Sequence, residues 1–364
     1  MKLNEGFLSS MRGAMALLRE HGPAKATEAI QRALHANVAD KMYDVDSHQT
    51  GQGASLPSFA NTANERFAFG AAEECVDVED LGHVSTHRYS NAAGSRKYRL
   101  YVPPRENDDA LPLIVMLHGC TQSADDFAAG TQMDALAQRH RCLVAYPEQP
   151  AQANPSKCWN WFKPEDQTRE SGEASLIVGI AREIASTLNV DRDRVFIAGL
   201  SAGGAMAANI VDAYPDVFAA AGVHSGLPAR CAHDLPSALA AMKGGRHPWM
   251  GRAGHETHAP RRPMIVFHGD ADTTVNVANA MRIAQGFDAR LDIDGGIRAQ
   301  KAGNRASKAS RIISSNGIDA ELWIVHGAGH AWSGGNAQGT FTDPRGPDAS
   351  AEMLRFFLEH PKES

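Results

Sequence analysis

A strand that runs straight into a helix through Gly199-Leu200-Ser201-Ala202-Gly203 constrains this chain more than any other feature. Val195–Ala198 reads as a buried strand, and the small residues from Ala202 to Met206 open a helix. Only a very sharp turn can join the two. The flanking glycines carry no Cβ to collide where strand, turn and helix converge. Such a turn holds Ser201 in a strained backbone conformation and lifts its hydroxyl to the top of a sheet. The helix N-terminus there offers free N–H groups and a positive dipole end, which favour developing negative charge. In a chain with 33 glycines the bare G-x-S-x-G pattern means little. The strand before it and the helix after it carry the reading.

A serine is a weak nucleophile unless a base takes its proton and a third group orients that base. Where a serine sits on this kind of turn, the acid and then the histidine follow it in chain order. Two downstream strand ends qualify. One reads Pro263–Phe267, then His268-Gly269-Asp270-Ala271-Asp272; the other reads Leu322–Val325, then His326-Gly327-Ala328-Gly329-His330. Asp270 follows its strand at once and is suited to holding the turn through backbone N–H groups. Asp272 lies further out and is the preferred acid, on the shared pattern H-G-x-x-D-x-x-V more than on spacing. His330 is the preferred base, because His326 ends its strand and reads as a packed core histidine. With 16 histidines in the chain, His330 draws its weight from order and context alone. The residue after the nucleophile, Ala202, supplies one expected oxyanion N–H, and the loop after Leu113–Leu117 supplies the other, assigned to Cys120.

From about residue 80 strands and helices alternate. Strands are expected at 97–102, 113–117, 142–146, 195–198, 218–223, 264–267 and 322–325. Helices are expected at about 132–140, 173–188, 203–213, 235–242 and 348–359. This predicts an α/β fold with a mostly parallel central sheet and helices on both faces. Residues 285–317 are polar and weakly patterned and read as an excursion near the site. Ahead of residue 80, a helical N-terminal segment is expected over 1–40, its apolar residues interrupted by Gly22-Pro23, and a linker or extended arm over 41–79. The catalytic domain is then 80–364.

Lys and Arg number 36 against 42 Asp and Glu, a net charge of -6. A mildly acidic chain lacks the footprint of a nucleic-acid binder, and no apolar run reaches the ~18 residues of a membrane helix. The first residues show no clean apolar region of a secretory leader, so a cytoplasmic location is expected, with the extracellular one as alternative. The five cysteines form no CxxC pair, and reduced thiols are the simplest reading; Cys158 with Cys231 is the pair to test for a disulfide. Asp125, Asp126 and Asp134 raise the question of a metal, but Ser123 through Asp126 looks like a helix start. Gly203-Gly204 precedes no G-K-[ST], and no dinucleotide fingerprint opens an early strand. No metal and no cofactor are expected. The partner left to expect is a small-molecule substrate, with oligomeric state open. Three of the 5 tryptophans, Trp159, Trp161 and Trp332, fall in loops near the expected site and together suggest an apolar cleft for an acyl chain or aromatic ring.

Over about residues 85–360 the chain resembles the poly(3-hydroxybutyrate) depolymerase-type esterases of the α/β-hydrolase fold, which include feruloyl and acetylxylan esterases. The resemblance is carried by MLHGCTQSADDFA (116–128), CWNWF (158–162), FIAGLSAGGAM (196–206), HGDADTTV (268–275), HGAGHAWSGG (326–335) and TDPRGPDAS (342–350). It implies Ser201 as nucleophile, Asp272 and His330 as its partners, and Cys120 and Ala202 as oxyanion donors, in a serine carboxylester hydrolase acting through an acyl-enzyme on short-chain hydroxyalkanoate esters. Secreted depolymerases of this type carry a leader and usually a separate polymer-binding domain, and neither pattern is seen. The alternatives are a feruloyl or acetylxylan esterase, a peptidase with the same triad, and a non-catalytic binding module on a hydrolase fold.

Overall fold

A computed structural model describes residues 82–105, 107–245, 262–287, 296–297, 305–313 and 318–362. All lie in the second of two units, Met1–Glu79 and Asp80–Ser364. The expected segments over 1–40 and 41–79, and Cys75 with them, fall outside the described residues.

The run Leu111–Leu117, β3, shows why this chain builds a two-sided sheet: all seven of its residues are buried. Leu113, Val115 and Leu117 enter one core, and Ile114 and Met116 enter the other. Only a strand covered on both faces can be apolar at every position. β3 pairs in parallel with β4 (Leu143–Glu148) and with β5 (Val190–Leu200). Beyond β5 the parallel order continues through β6 (Ala220–His224), β7 (Met264–Gly269) and β10 (Asp319–Val325).

Antiparallel strands finish both sides. β1 (His83–Asn91) and β2 (Gly94–Val102) form a hairpin on β4; β9 (Ser307–Ile313) and the short β8 (Gly296–Ile297) extend β10. The full order is β1-β2-β4-β3-β5-β6-β7-β10-β9-β8. Part of the segment expected as an excursion, 285–317, is therefore edge sheet. Its strand β9 mixes polar and apolar residues without a period and gives no buried run to recognise.

Helices Gly172–Thr187, Ala202–Ala213, Leu235–Met242 and Ala278–Gln285 bury their apolar residues in the first core. Ala124–Thr131, Met133–His140 and Ala349–Glu359 bury theirs in the second. Ser123 caps the first of these by accepting the Asp126 N–H at 3.1 Å, and Asp125 and Asp134 both pair with Arg99. Those carboxylates thus serve a helix start and an ion-pair cluster. This is an α/β-hydrolase fold. The carboxyl ends of β3, β5, β6, β7 and β10 share one edge of the sheet, where ligands of such sheets bind.

Candidate active site

Ser201 follows the last residue of β5 with φ 58° and ψ -118°, in the left-handed half of backbone space that a side chain avoids. The neighbours explain why the turn survives. A Cβ on Gly199 would lie 2.5 Å from the Gly203 carbonyl oxygen, and one on Gly203 would lie 2.6 Å from the His118 carbonyl oxygen. Both positions must be glycine for strand, turn and helix to close. Ser201 N–H donates to the His224 carbonyl at 2.9 Å, which ties the turn to the end of β6.

Asp272 sits in the loop after β7 and is 7% exposed. Its Oδ1 accepts the N–H groups of Thr274 and Val275 at 2.8 and 2.9 Å. Its Oδ2 accepts His330 Nδ1–H at 2.6 Å and lies 3.5 Å from His268 Nε2. Burial alone would raise this carboxyl, but hydrogen bonds from His268 and His330 outweigh it and hold the group below the usual carboxylate range. With Nδ1–H committed to Asp272, neutral His330 keeps its Nε2 lone pair for a proton. The Asp272–His330 bond is formed, and no hydrogen bond joins Ser201 Oγ to His330 among the described residues. Such bonds are often long before substrate arrives.

The rival acid and histidine pair with each other. His326 Nδ1–H donates to Asp270 at 2.8 Å, and Gly327 N–H donates to the same carboxylate at 2.7 Å. These bonds, His326 first, lower the Asp270 carboxyl. His326 is exposed and is no core histidine, contrary to expectation.

The loop after β3, expected to supply an oxyanion donor, is braced on both sides of Cys120. Gly119 N–H donates to Gln122 Oε1 at 2.9 Å and Thr121 N–H to the Ser156 carbonyl at 2.7 Å. The Cys120 N–H between them has no partner among the described residues. Ala202 is the first residue of its helix, where N–H groups lack a carbonyl one turn back. His118, fully buried, donates Nδ1–H to the Gly119 carbonyl at 2.7 Å and accepts Gln149 N–H on Nε2 at 3.0 Å. Burial pushes its pKa down to about 4, so the loop hangs on a neutral imidazole.

The cysteine pairing and the tryptophans differ from expectation. Cys158 is bonded to Cys120, while Cys142 and Cys231 are free and buried. The bridge ties the loop after β3 to the Cys158–Phe162 loop; Cys231 is packed in the core instead. The expected tryptophan cleft is also not formed, for Trp159, Trp161 and Trp332 are 0%, 5% and 1% exposed. Trp332 packs edge-on against Phe127 and donates Nε1–H to Ser350 Oγ at 3.0 Å. Trp159 and Trp161 fill the first core, where the Trp161 carbonyl accepts Asn209 Nδ2–H at 2.7 Å from the helix behind Ser201. Buried Glu173 accepts the backbone N–H and a side-chain N–H of Asn160, each at 2.7 Å, and pairs with Arg96 at 3.1 Å, which pulls this loop inward. The aromatic rings are thus spent on seating the loops. Phe341 is, with Val84, one of two large apolar side chains well exposed among the described residues.

Sequence reasoning also passed over His224. It is 1% exposed and accepts Ser333 N–H on Nε2 at 2.9 Å. A lone histidine in an apolar strand carries no pattern that would single it out.

The chain belongs to the esterase PHB depolymerase family, whose profile matches residues 96–312, more than half of its length. It is 38% identical over 190 residues to "Poly(3-hydroxyalkanoate) depolymerase C" of Paucimonas lemoignei; the match covers 50% of this chain and 46% of that protein. It is 28% identical over 246 residues to "Feruloyl esterase B" of Thermothelomyces thermophilus, covering 64% of this chain and 82% of that one. Among solved structures it resembles "Acetyl xylan esterase from Aspergillus awamori" with a TM-score of 0.59 and 19% identity, covering 75% of this chain and 99% of that chain, a likeness of fold. Among the described residues no helix is long and apolar enough to cross a membrane.

Proposed function

We propose that the chain is a serine carboxylester hydrolase. The observation that carries the reading is the 2.6 Å Asp272–His330 bond at the same sheet edge as the strained Ser201 turn. Ser201 Oγ attacks the ester carbonyl carbon while His330 Nε2 takes its proton. The negative oxygen so formed accepts the N–H groups of Cys120 and Ala202, each donor worth ~3 kcal/mol of barrier. His330 then protonates the leaving alcohol, and water activated by the same imidazole releases the acid from Ser201. Asp272 keeps the His330 tautomer and stabilises its cation.

Relatives named for poly(3-hydroxyalkanoate), feruloyl and acetylxylan esters support three substrate classes. Short hydroxyalkanoate esters are the first choice, on the higher identity of that relative. The Cys120–Cys158 bridge favours an oxidising compartment and so the extracellular alternative over the cytoplasm. Hydrolysis of 3-hydroxybutyrate oligomers, amorphous polymer, methyl ferulate and acetylated xylan tests the assignment, with Ser201→Ala as blank. Preference for the oligomers or polymer is expected. Preference for ferulate or acetylxylan moves the substrate to a plant-wall ester, and full turnover by Ser201→Ala ends the serine mechanism.

A further inference from the structure

One buried residue touches both halves of the candidate site. The backbone carbonyl of His224 accepts the N–H of Ser201 at 2.9 Å, at the strand ends where Leu200 and His224 are register partners. Its side chain reaches the other way. Nε2 accepts Ser333 N–H at 2.9 Å, and the ring stacks on Trp332 with centroids 5.0 Å apart. Phe267 of β7 stacks on the ring at 5.8 Å. Trp332 and Ser333 immediately follow the Gly329–Ala331 turn that carries His330.

The hydrogen bonds leave the ring a single tautomer. An Nε2 that accepts an amide N–H holds a lone pair, so the proton sits on Nδ1, which donates to Ser225 Oγ at 3.2 Å. A cationic ring would point N–H at N–H in a fully buried setting. Burial, with His268 and His330 nearby, pushes this histidine's pKa down to about 3. The ring is a permanent acceptor. Ser333, 1% exposed, needs one for its buried N–H.

We infer that His224 is a positioning residue that sets the His330 loop against the Ser201 turn, so that Nε2 of His330 meets Oγ of Ser201. This rests on the esterase reading above. Asp272 holds the His330 ring from one side, through Nδ1. His224 holds the loop that carries the ring from the other, two and three residues further on. Without the second hold the imidazole can keep its Asp272 bond and still swing away from the serine. A shift of about 1 Å in such a pair costs about 10²-fold in rate.

The test compares His224→Phe, which keeps an aromatic ring between Phe267 and Trp332 but accepts nothing, with His224→Gln, whose side-chain oxygen can accept Ser333 N–H. Rates on a nitrophenyl ester and labelling of Ser201 by a fluorophosphonate are measured beside Ser201→Ala. His224→Phe should lose about 10²-fold in kcat with KM within about twofold, and should label proportionally more slowly. His224→Gln should recover most of both. Wild-type kcat in His224→Phe overturns the proposal, as does an equal loss in both variants with equal loss of Tm. If His224→Phe does not fold, histidine ¹⁵N shifts of the wild-type protein decide: a protonated Nδ1 supports the proposal and a protonated Nε2 overturns it. The Ser201→Ala arm separates the two readings. Its retained turnover would sink the serine mechanism, whereas its inactivity beside a fully active His224→Phe would sink only the role of His224.

Discussion

Removing the Cys120–Cys158 bridge should lower stability and turnover by separable amounts. The bridge closes a segment with a sequence separation of 38. Freeing a segment of that length returns about 4 kcal/mol of loop-closure entropy to the unfolded chain at 25 °C. In a domain of this size, that lowers Tm by roughly 10 °C. Cys158→Ser is the cleaner perturbation, since it keeps Cys120 and its N–H. On the proposed mechanism turnover responds through the loop after β3, which keeps its bonds to Gln122 and Ser156 in the variant. The loss should therefore be about 10-fold in kcat or less, short of the ~10²-fold that follows deletion of a donor. Differential scanning calorimetry reads the first effect. Initial rates on a nitrophenyl ester well below both melting points read the second, with phosphine-reduced wild type as a parallel sample. A non-reducing peptide map that joined Cys158 to Cys231 would refute the pairing. A Tm within about 2 °C of wild type would refute the entropic account, and a lower Tm with unchanged kcat would refute the brace.

Asp272→Asn should cut kcat by about 10⁴-fold with little change in KM, because the amide turns the His330 ring to the wrong tautomer. Asp270→Asn should cost less than about tenfold, since its partner His326 faces solvent; equal, mild effects in kinetics of both variants would remove the acid assignment. Acid stability should depend on the buried histidines. His118 and His224 have folded pKa values lowered to about 4 and about 3, so between pH 6.5 and those values the unfolded chain binds more protons and stability falls as pH falls. At pH 5 each contributes on the order of 2 kcal/mol of loss. Asp166, raised to about 7 by burial and by Glu173, runs the other way and gains stability as pH falls from 7 toward 4. Urea melts at pH 7 and pH 5 should show a flatter acid loss in His118→Gln and a steeper one in Asp166→Asn.

The central sheet was readable because its strands are buried on both faces: Leu113–Leu117 and Val195–Ala198 are short apolar runs that each end at a glycine turn. The edge strands were not. His83–Asn91 is largely exposed, and Ser307–Ile313 mixes serine, lysine and arginine with its apolar residues, so neither shows a sustained pattern. At the site, the shared pattern H-G-x-x-D-x-x-V pointed to Asp272, chain order and a glycine turn pointed to His330, and these two are hydrogen-bonded. The order holds because each hangs from the carboxyl end of its own strand. The tryptophans were misjudged because composition tells that a loop is aromatic without telling which way its rings turn. That depends on buried partners such as Glu173, Asn209 and Ser350, scattered through the chain. The cysteine pairing depends likewise on which loops meet above the sheet.

The dispersal of the site over strand ends has a consequence for how the chain comes alive. Cys120, Ser201, Asp272 and His330 follow β3, β5, β7 and β10, and none is brought near another by local structure. They converge only when parallel strands far apart in sequence have paired, the slow kind of assembly in which loop closure precedes any reward. Strand β10 is the last of the central set to leave the ribosome, and His330 comes after it. During synthesis Ser201 is therefore made well before His330. Esterase activity should appear late and all at once on refolding, after the sheet's spectroscopic signal, and serve as a reporter of the completed topology.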